Sequence, residues 1–204
     1  MYEFDWIAQN IYLPIYPVIA GDILDRTGKT SGRLLDLGCG GGHLGLSILQ
    51  QAAGMTAVLL DKNPEAVLLA HRRAGEWGLG PRAVAIVGDV GQLPLPEGSV
   101  DLAVSRGSVH FWENIDAAFA EILRVLAPGG AAYIGSGMGN RELGDTISEK
   151  MKEINPDWPD CVHRRSTGYT VEDYAALVEQ KGASCEILQG GGQGSWVVFR
   201  KPAA

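Results

Sequence analysis

The sequence predicts one α/β domain built on a mostly parallel sheet of seven strands, with helices on both faces. Three observations carry that prediction. Short apolar runs rich in Val, Leu and Ile alternate with longer stretches of helical periodicity, the pattern that right-handed βαβ units leave in a chain. Glycines concentrate where the first run gives way to the first helical stretch, in LLDLGCGGGHLG from Leu34 to Gly45. The last two runs are separated by the spacer QGGGQG, shorter than the dozen or so residues of a parallel crossover, so they pair antiparallel as a hairpin.

Taken in order, strands are expected over residues 33–37, 56–60, 83–87, 100–104 and 131–135, where apolar residues run nearly unbroken, as in strands buried on both faces. Helices are expected over 42–53, 64–77 and 115–126. Pro64 suits a first helical turn, where its missing N–H costs nothing, and Asn63 before it is a capping residue. Pro128 marks the end of the third helix. A further helix over 171–181 leads into the hairpin strands 184–188 and 196–200. No internal repeat or linker interrupts this order. Residues 1–204 therefore read as one domain: a helical cap over 1–31, a core over 32–136, a lid insertion over 137–170, and a C-terminal helix and hairpin over 171–204.

Composition excludes several classes of function. With 204 residues, 46% of them hydrophobic and 20% charged, the chain buries a full core. It has no apolar run approaching the roughly 18 residues of a membrane span, and its opening MYEFDWIAQN carries acids where a signal peptide would be basic. The expected location is cytoplasmic, with no membrane partner. Cys39, Cys161 and Cys185 are too scattered for a disulfide framework, and no CxxC or HxxxH spacing calls for a metal. The formal charge of −7 opposes binding to nucleic acid, and the one basic cluster, HRRS at 163–166, reads as a solvated loop.

The glycines sit at the carboxyl edge of the sheet, where ligands of open α/β folds bind. There glycine permits positive φ and close approach of a ligand to the main chain, beside the free N–H groups of a helix start. Spacing alone leaves the ligand open: counted from Gly40, with Gly42 and Gly45, a G-x-G-x-x-G dinucleotide fingerprint is satisfied, whereas counted from Gly38 it fails at His43. Charge separates the readings. Asp36, just before the glycines, repels a pyrophosphate and attracts a ligand that carries an ammonium and a sulfonium. The other reading of Asp36 is a carboxylate capping the turn.

The run Asp36-Leu-Gly38-Cys-Gly40-Gly-Gly42 resembles the D/E-x-G-x-G-x-G motif of class I S-adenosylmethionine-dependent methyltransferases. The resemblance extends from about Gly32 to Lys201, with several motifs in order, and implies that family's Rossmann-like sheet, in which the last strand is inserted antiparallel between the fifth and sixth. It implies S-adenosyl-L-methionine as cofactor, held by Asp36, Gly38, Cys39, Gly40 and Gly42, with Asp61 accepting from both ribose hydroxyls and Lys62 beside it. In GDVGQLP it implies that Asp89 accepts from the adenine amine and that the Val90 N–H donates to a ring nitrogen. Plain capping by Asp61 and a simple turn at Asp89 are the alternatives. Ser105 and Arg106, which end the fourth strand on the same edge, are also expected to hold the cofactor.

The chain departs from the base- and amide-methylating members of the family, which carry an Asn/Asp-Pro-Pro-Tyr type motif where this sequence has Ser105-Arg106-Gly107-Ser108. The segment ILRVLAPGGAAYIG is similar to the small-molecule, ubiquinone/menaquinone-biosynthesis type. The expected partner is a small or medium-sized acceptor, and the protein is expected to be a monomer or homodimer. Tyr12, Tyr16, His110 and Trp112 are expected on the substrate side, with His110 first and His163 second as general base. A packed imidazole beside Phe111 and Trp112 is the alternative for His110. The rival functions are a nucleotide-dependent oxidoreductase and a silent S-adenosylmethionine-binding sensor or partner subunit.

Overall fold

Along the first strand, β1 (Ser31–Leu37), successive side chains alternate between two different cores, and this alternation organises the rest. Leu34 joins one cluster, and Leu35 and Leu37 join the other. The computed structural model describes residues 4–158, 168–190, 192 and 194–203. Beyond β1 it contains β2 (Gly54–Asp61), β3 (Ala83–Val87), β4 (Val100–Arg106), β5 (Leu126–Ser136), β6 (Ser184–Gln189) and β7 (Ser195–Arg200). Their order across the sheet is β3-β2-β1-β4-β5-β7-β6. The first five strands run parallel, and β7 lies antiparallel between β5 and β6.

Helices α1 (Phe4–Asn10) and α2 (Ile15–Thr27) precede the sheet. The others are α3 (His43–Gln51), α4 (Pro64–Glu76), α5 (Ile115–Val125), α6 (Arg141–Ile154) and α7 (Val171–Gln180). One face of the sheet is covered by α2, α3 and α4 with Ile147 and Met151 of α6, and the other by α5 and α7 around Phe119, Tyr174 and Phe199. Side-chain caps start most of them. Asn63, Asn114 and Asn140 accept from backbone N–H groups of α4, α5 and α6, and Thr170 forms a capping box with Asp173 on α7. Helix α3 has no such cap and begins directly from the glycine turn, with Gly42 at φ 81°.

The expected elements are present, with shifted ends. The fifth strand starts at Leu126 rather than residue 131 and absorbs Pro128, Gly129 and Gly130. Two backbone bonds to Lys201 hold this stretch to the sheet, Gly129 N–H donating to Lys201 and Lys201 N–H to Gly130. Pro128 falls where the pairing with β4 shifts register between Val100 and Leu102, and a proline at such an irregularity is compatible with a strand. The segment before β1 forms two helices, α1 and α2, rather than one.

Helix α3 lies close against the sheet because Gly45 has no side chain. A Cβ there would stand 2.6 Å from Leu59 Cδ2 and 2.9 Å from Asp36 Oδ2. Gly45→Val is therefore expected to lower unfolding free energy by about 1–3 kcal/mol through overpacking. Urea titration measures it; an unchanged midpoint would mean that α3 shifts away from β1 and β2 without cost.

Candidate active site

The carboxyl edge of the sheet gathers the site, because β1, β2, β3 and β4 all end there. After Leu37 the chain makes a turn with Gly38 at φ 64° and Gly40 at φ 53°, conformations costly for residues with a Cβ. Neighbours on both sides fix it. Cys39 N–H donates to Leu60 on β2 (3.0 Å), and Gly38 backs onto Ser108, whose Oγ would lie 2.4 Å from an added Cβ. Beside Gly40 a Cβ would meet nothing within 4 Å, so this part of the turn faces open space.

Acids from β1, β2 and the segment after β3 surround the turn. Asp36 is buried, 2% exposed, and its Oδ2 accepts from Gly45 N–H at 2.9 Å. Burial pushes its carboxyl up to about 7, with the Gly45 hydrogen bond opposing and the Asp61 charge adding to the rise. Asp61 Oδ2 accepts from Gly40 N–H (2.8 Å) and Oδ1 from Asn63 N–H (2.9 Å). Asp89 Oδ1 accepts from Gly91 N–H (2.7 Å), and Val90 packs against the α5 side of the core. Lys62 bridges the edge: its Nζ lies 3.7 Å from Asp89 Oδ2 and is hydrogen-bonded to Glu113. Asp36 and Asp89 thus each hold a turn, whereas Asp61 ties the glycine turn to the residue before α4 and leaves the N-cap to Asn63. Asp61 keeps unused lone pairs on both oxygens. Burial holds the Cys39 thiol well above its ordinary value, so it packs rather than reacts.

From β4 the structure brings some expected residues to the edge and keeps others inside. Ser105 is fully buried, and its Oγ lies 2.6 Å from Ser108 Oγ, which itself donates to Leu37 (2.8 Å). Trp112, expected beside the substrate, is in the core at 7% exposed; its Nε1 donates to Ser108 Oγ (3.1 Å) and its ring centroid is 6.1 Å from that of Phe119. The reason is local: the 3-10 helix Val109–Phe111 turns the chain so that Trp112 packs over α5. Arg106 reaches the edge, with its Cζ 4.7 Å from the Tyr12 ring centroid and 5.7 Å from that of Tyr16. Tyr16 is itself buried and stacks on His43 at 5.0 Å.

His110 lines a cleft of about 330 Å³ with Ser136, Tyr169, Thr170, Glu172 and Gln189. Its Nδ1 is buried with no hydrogen-bond partner among the described residues, and burial holds its pKa below the usual 6.5. The second candidate base, His163, lies outside the described residues.

Two further residues belong to this neighbourhood and were not singled out from the sequence. Arg73 on α4 pairs with both carboxylate oxygens of Asp5 on α1 (3.0 and 3.1 Å) and donates to the Gly41 carbonyl. His43, the first residue of α3, contacts Gln9 of α1 (3.1 Å) and is held down to about 4, chiefly by burial. Arg73 shares the helical face of Val67, Ala70 and Ala74, and a charge at that periodicity was the available signal.

Comparison with known proteins agrees with this arrangement. Residues 35–134 match the family model described as a methyltransferase domain. A Methanococcus maripaludis protein assigned as an S-adenosyl-L-methionine-dependent methyltransferase superposes with a TM-score of 0.90 at 36% identity, covering 98% of this chain and 91% of its own. The demethylmenaquinone methyltransferase of Thermus thermophilus is 34% identical over 106 residues, which are 52% of this chain and 47% of that protein. A malonyl-[acyl-carrier protein] O-methyltransferase of Methylococcus capsulatus is 42% identical over 106 residues, 50% of this chain and 36% of that protein. The chain thus spans less than half the length of these two curated relatives. With a full-length structural counterpart and the glycine turn inside the matched domain, the chain belongs to the S-adenosyl-L-methionine-dependent methyltransferase family.

Proposed function

We propose that the protein transfers the methyl group of S-adenosyl-L-methionine to a small or medium-sized acceptor by in-line displacement. The observation that carries this reading is the convergence of an open glycine turn with Asp36, Asp61 and Asp89 on one sheet edge. These residues fit the cofactor's chemistry. The open side of Gly40 gives main-chain contact, the remaining lone pairs of Asp61 suit a ribose diol, and those of Asp89 suit an exocyclic amine. Asp36 suits a cation. A dinucleotide pyrophosphate would face Asp36 and Asp61 together, which disfavours the oxidoreductase reading.

The cofactor supplies an electrophilic methyl on a sulfonium with a good leaving group; this chain's residues orient, exclude water and take up a proton. His110 serves the acceptor. Its lowered pKa keeps the imidazole neutral at pH 7, so a ring nitrogen turned to the cleft can receive a proton from an O–H or N–H group there. The acceptor is a small molecule rather than nucleic acid, in line with the −7 charge, and among the described residues no helix is long and apolar enough to cross a membrane. A monomer or homodimer in the cytoplasm is part of this reading.

Three outcomes test it. Asp61→Ala is expected to weaken S-adenosylhomocysteine binding by about ten- to a thousandfold in calorimetry, from the loss of charge-assisted bonds; unchanged affinity in a folded variant removes Asp61 from the site.

The second outcome concerns Asp36, mostly protonated at pH 6 because its pKa stands at about 7 instead of 3.8. A cation beside it favours the ionised form, so binding S-adenosyl-L-methionine at pH 6 should release up to about one proton, and at pH 8 almost none. Calorimetry in buffers of different ionisation enthalpy reads this directly. Asp36→Asn should abolish the release, and its persistence in that variant would point to another group.

The third concerns the base. His110→Ala should keep S-adenosylhomocysteine affinity and lower turnover by about 10²–10⁴, with loss of an acidic limb centred below pH 6.5. Methylation rates are followed by S-adenosylhomocysteine production across metabolite pools given labelled cofactor. A sensor would bind without ever producing it.

A further inference from the structure

Arg106 carries a charge that no side chain among the described residues balances. It is half-buried at the end of β4, and the ion pairs around it are made by other groups: Asp5 is taken by Arg73, and Asp36 is buried against Gly45 N–H. What holds Arg106 is neutral. Nε donates to the Gly137 carbonyl (3.1 Å), Nη2 contacts Met138 Sδ (3.4 Å), and the rings of Tyr12 and Tyr16 flank the guanidinium. Of the five N–H donors of a guanidinium, those on Nη1 have no acceptor among the described residues.

These contacts fix the plane of the fork and leave one side of it unused. A guanidinium oriented in this way, partly desolvated and stabilised by aromatic faces, is preorganised for a planar two-oxygen anion. Its place is next to the glycine turn. Arg106 lies two residues beyond Val104, the β4 partner of Asp36, and Tyr16 stacks on His43, which follows Gly42. The nearby carboxylates of Asp36 and Asp61 make a doubly charged phosphate a poor occupant, whereas a single carboxylate is tolerated.

We propose that Arg106, framed by Tyr12 and Tyr16, is a receptor for a carboxylate at the acceptor side of the glycine turn. The inference rests on the methyltransferase reading and deepens it, because two carboxylates can reach this edge: the α-carboxylate of the cofactor and that of an acid acceptor. In either case the ligand supplies the missing counter-ion, and the two tyrosines restrict its approach to the free edge of the fork.

Calorimetry with S-adenosylhomocysteine and with 5′-methylthioadenosine, which lacks the amino-acid end, separates the sources. If the cofactor's carboxylate is bound, Arg106→Gln weakens S-adenosylhomocysteine by about ten- to a hundredfold and leaves 5′-methylthioadenosine within about twofold. If an acceptor's carboxylate is bound, both nucleosides are unaffected. Benzoate, titrated into protein saturated with S-adenosylhomocysteine, then binds the wild type at least about tenfold more tightly than Arg106→Gln. Arg106→Lys keeps the charge without the fork and serves if the Gln variant does not fold; it should show the same selective loss, smaller in size. Equal weakening of both nucleosides, or no change in any titration, overturns the inference. Wild-type protein that binds neither nucleoside overturns the methyltransferase reading and this inference with it.

Discussion

The close contact between α3 and the ends of β1 and β2 is the constraint on which the site depends. With no side chain at Gly45, the helix start comes near enough for its N–H to reach Asp36 at 2.9 Å. That hydrogen bond ties one oxygen of a carboxyl with almost no access to water to the start of α3. Asp61 finishes the job from the neighbouring strand, binding Gly40 N–H with one oxygen and Asn63 N–H with the other. The turn and the start of α4 are therefore held together by one side chain.

Such a cradle concentrates negative charge. Asp36 answers by holding its proton up to about pH 7, mainly because burial disfavours its charged form. Arg73 and Arg106 stand on either flank, but Arg73 is committed to Asp5 and to the Gly41 carbonyl. The polarity of the edge is thus acidic at its centre and basic on the Arg106 side. A zwitterionic ligand with a cationic middle matches that order of charges better than a polyanion does.

Much of this was legible in the sequence, and what was not has identifiable causes. The strand order and the turn follow from patterns that local physics writes plainly: two-faced burial gives unbroken apolar runs, and a turn with repeated positive φ requires glycine. The pairing of Leu126–Gly130 with Val100 and Lys201 was missed, because Pro128 and two glycines carry the marks of a stop while tertiary pairing overrides them. Trp112 was expected beside the substrate but turns into the core, since the short 3-10 helix Val109–Phe111 sets its direction and composition does not encode that. The Asp5–Arg73 pair joins residues 68 apart, and no local pattern links them.

That pair shows how the N-terminal segment becomes part of the edge. Through Asp5 and Gln9, α1 binds Arg73 and His43, which lie on the two helices flanking the glycine turn. On the other bank, Phe4 meets Phe111 in an edge contact with centroids 6.0 Å apart, just after β4. These attachments differ in kind. The first is a largely buried ion pair, 9% and 23% exposed at its side chains, whose loss strands a charge inside the protein; the second is an exposed aromatic contact of about 1 kcal/mol or less. Helix α1 is therefore anchored firmly on the side of α3 and α4 and lightly on the side of Arg106 and His110. The lighter attachment, Phe4 on Phe111, lies one residue from His110, which lines the cleft of about 330 Å³.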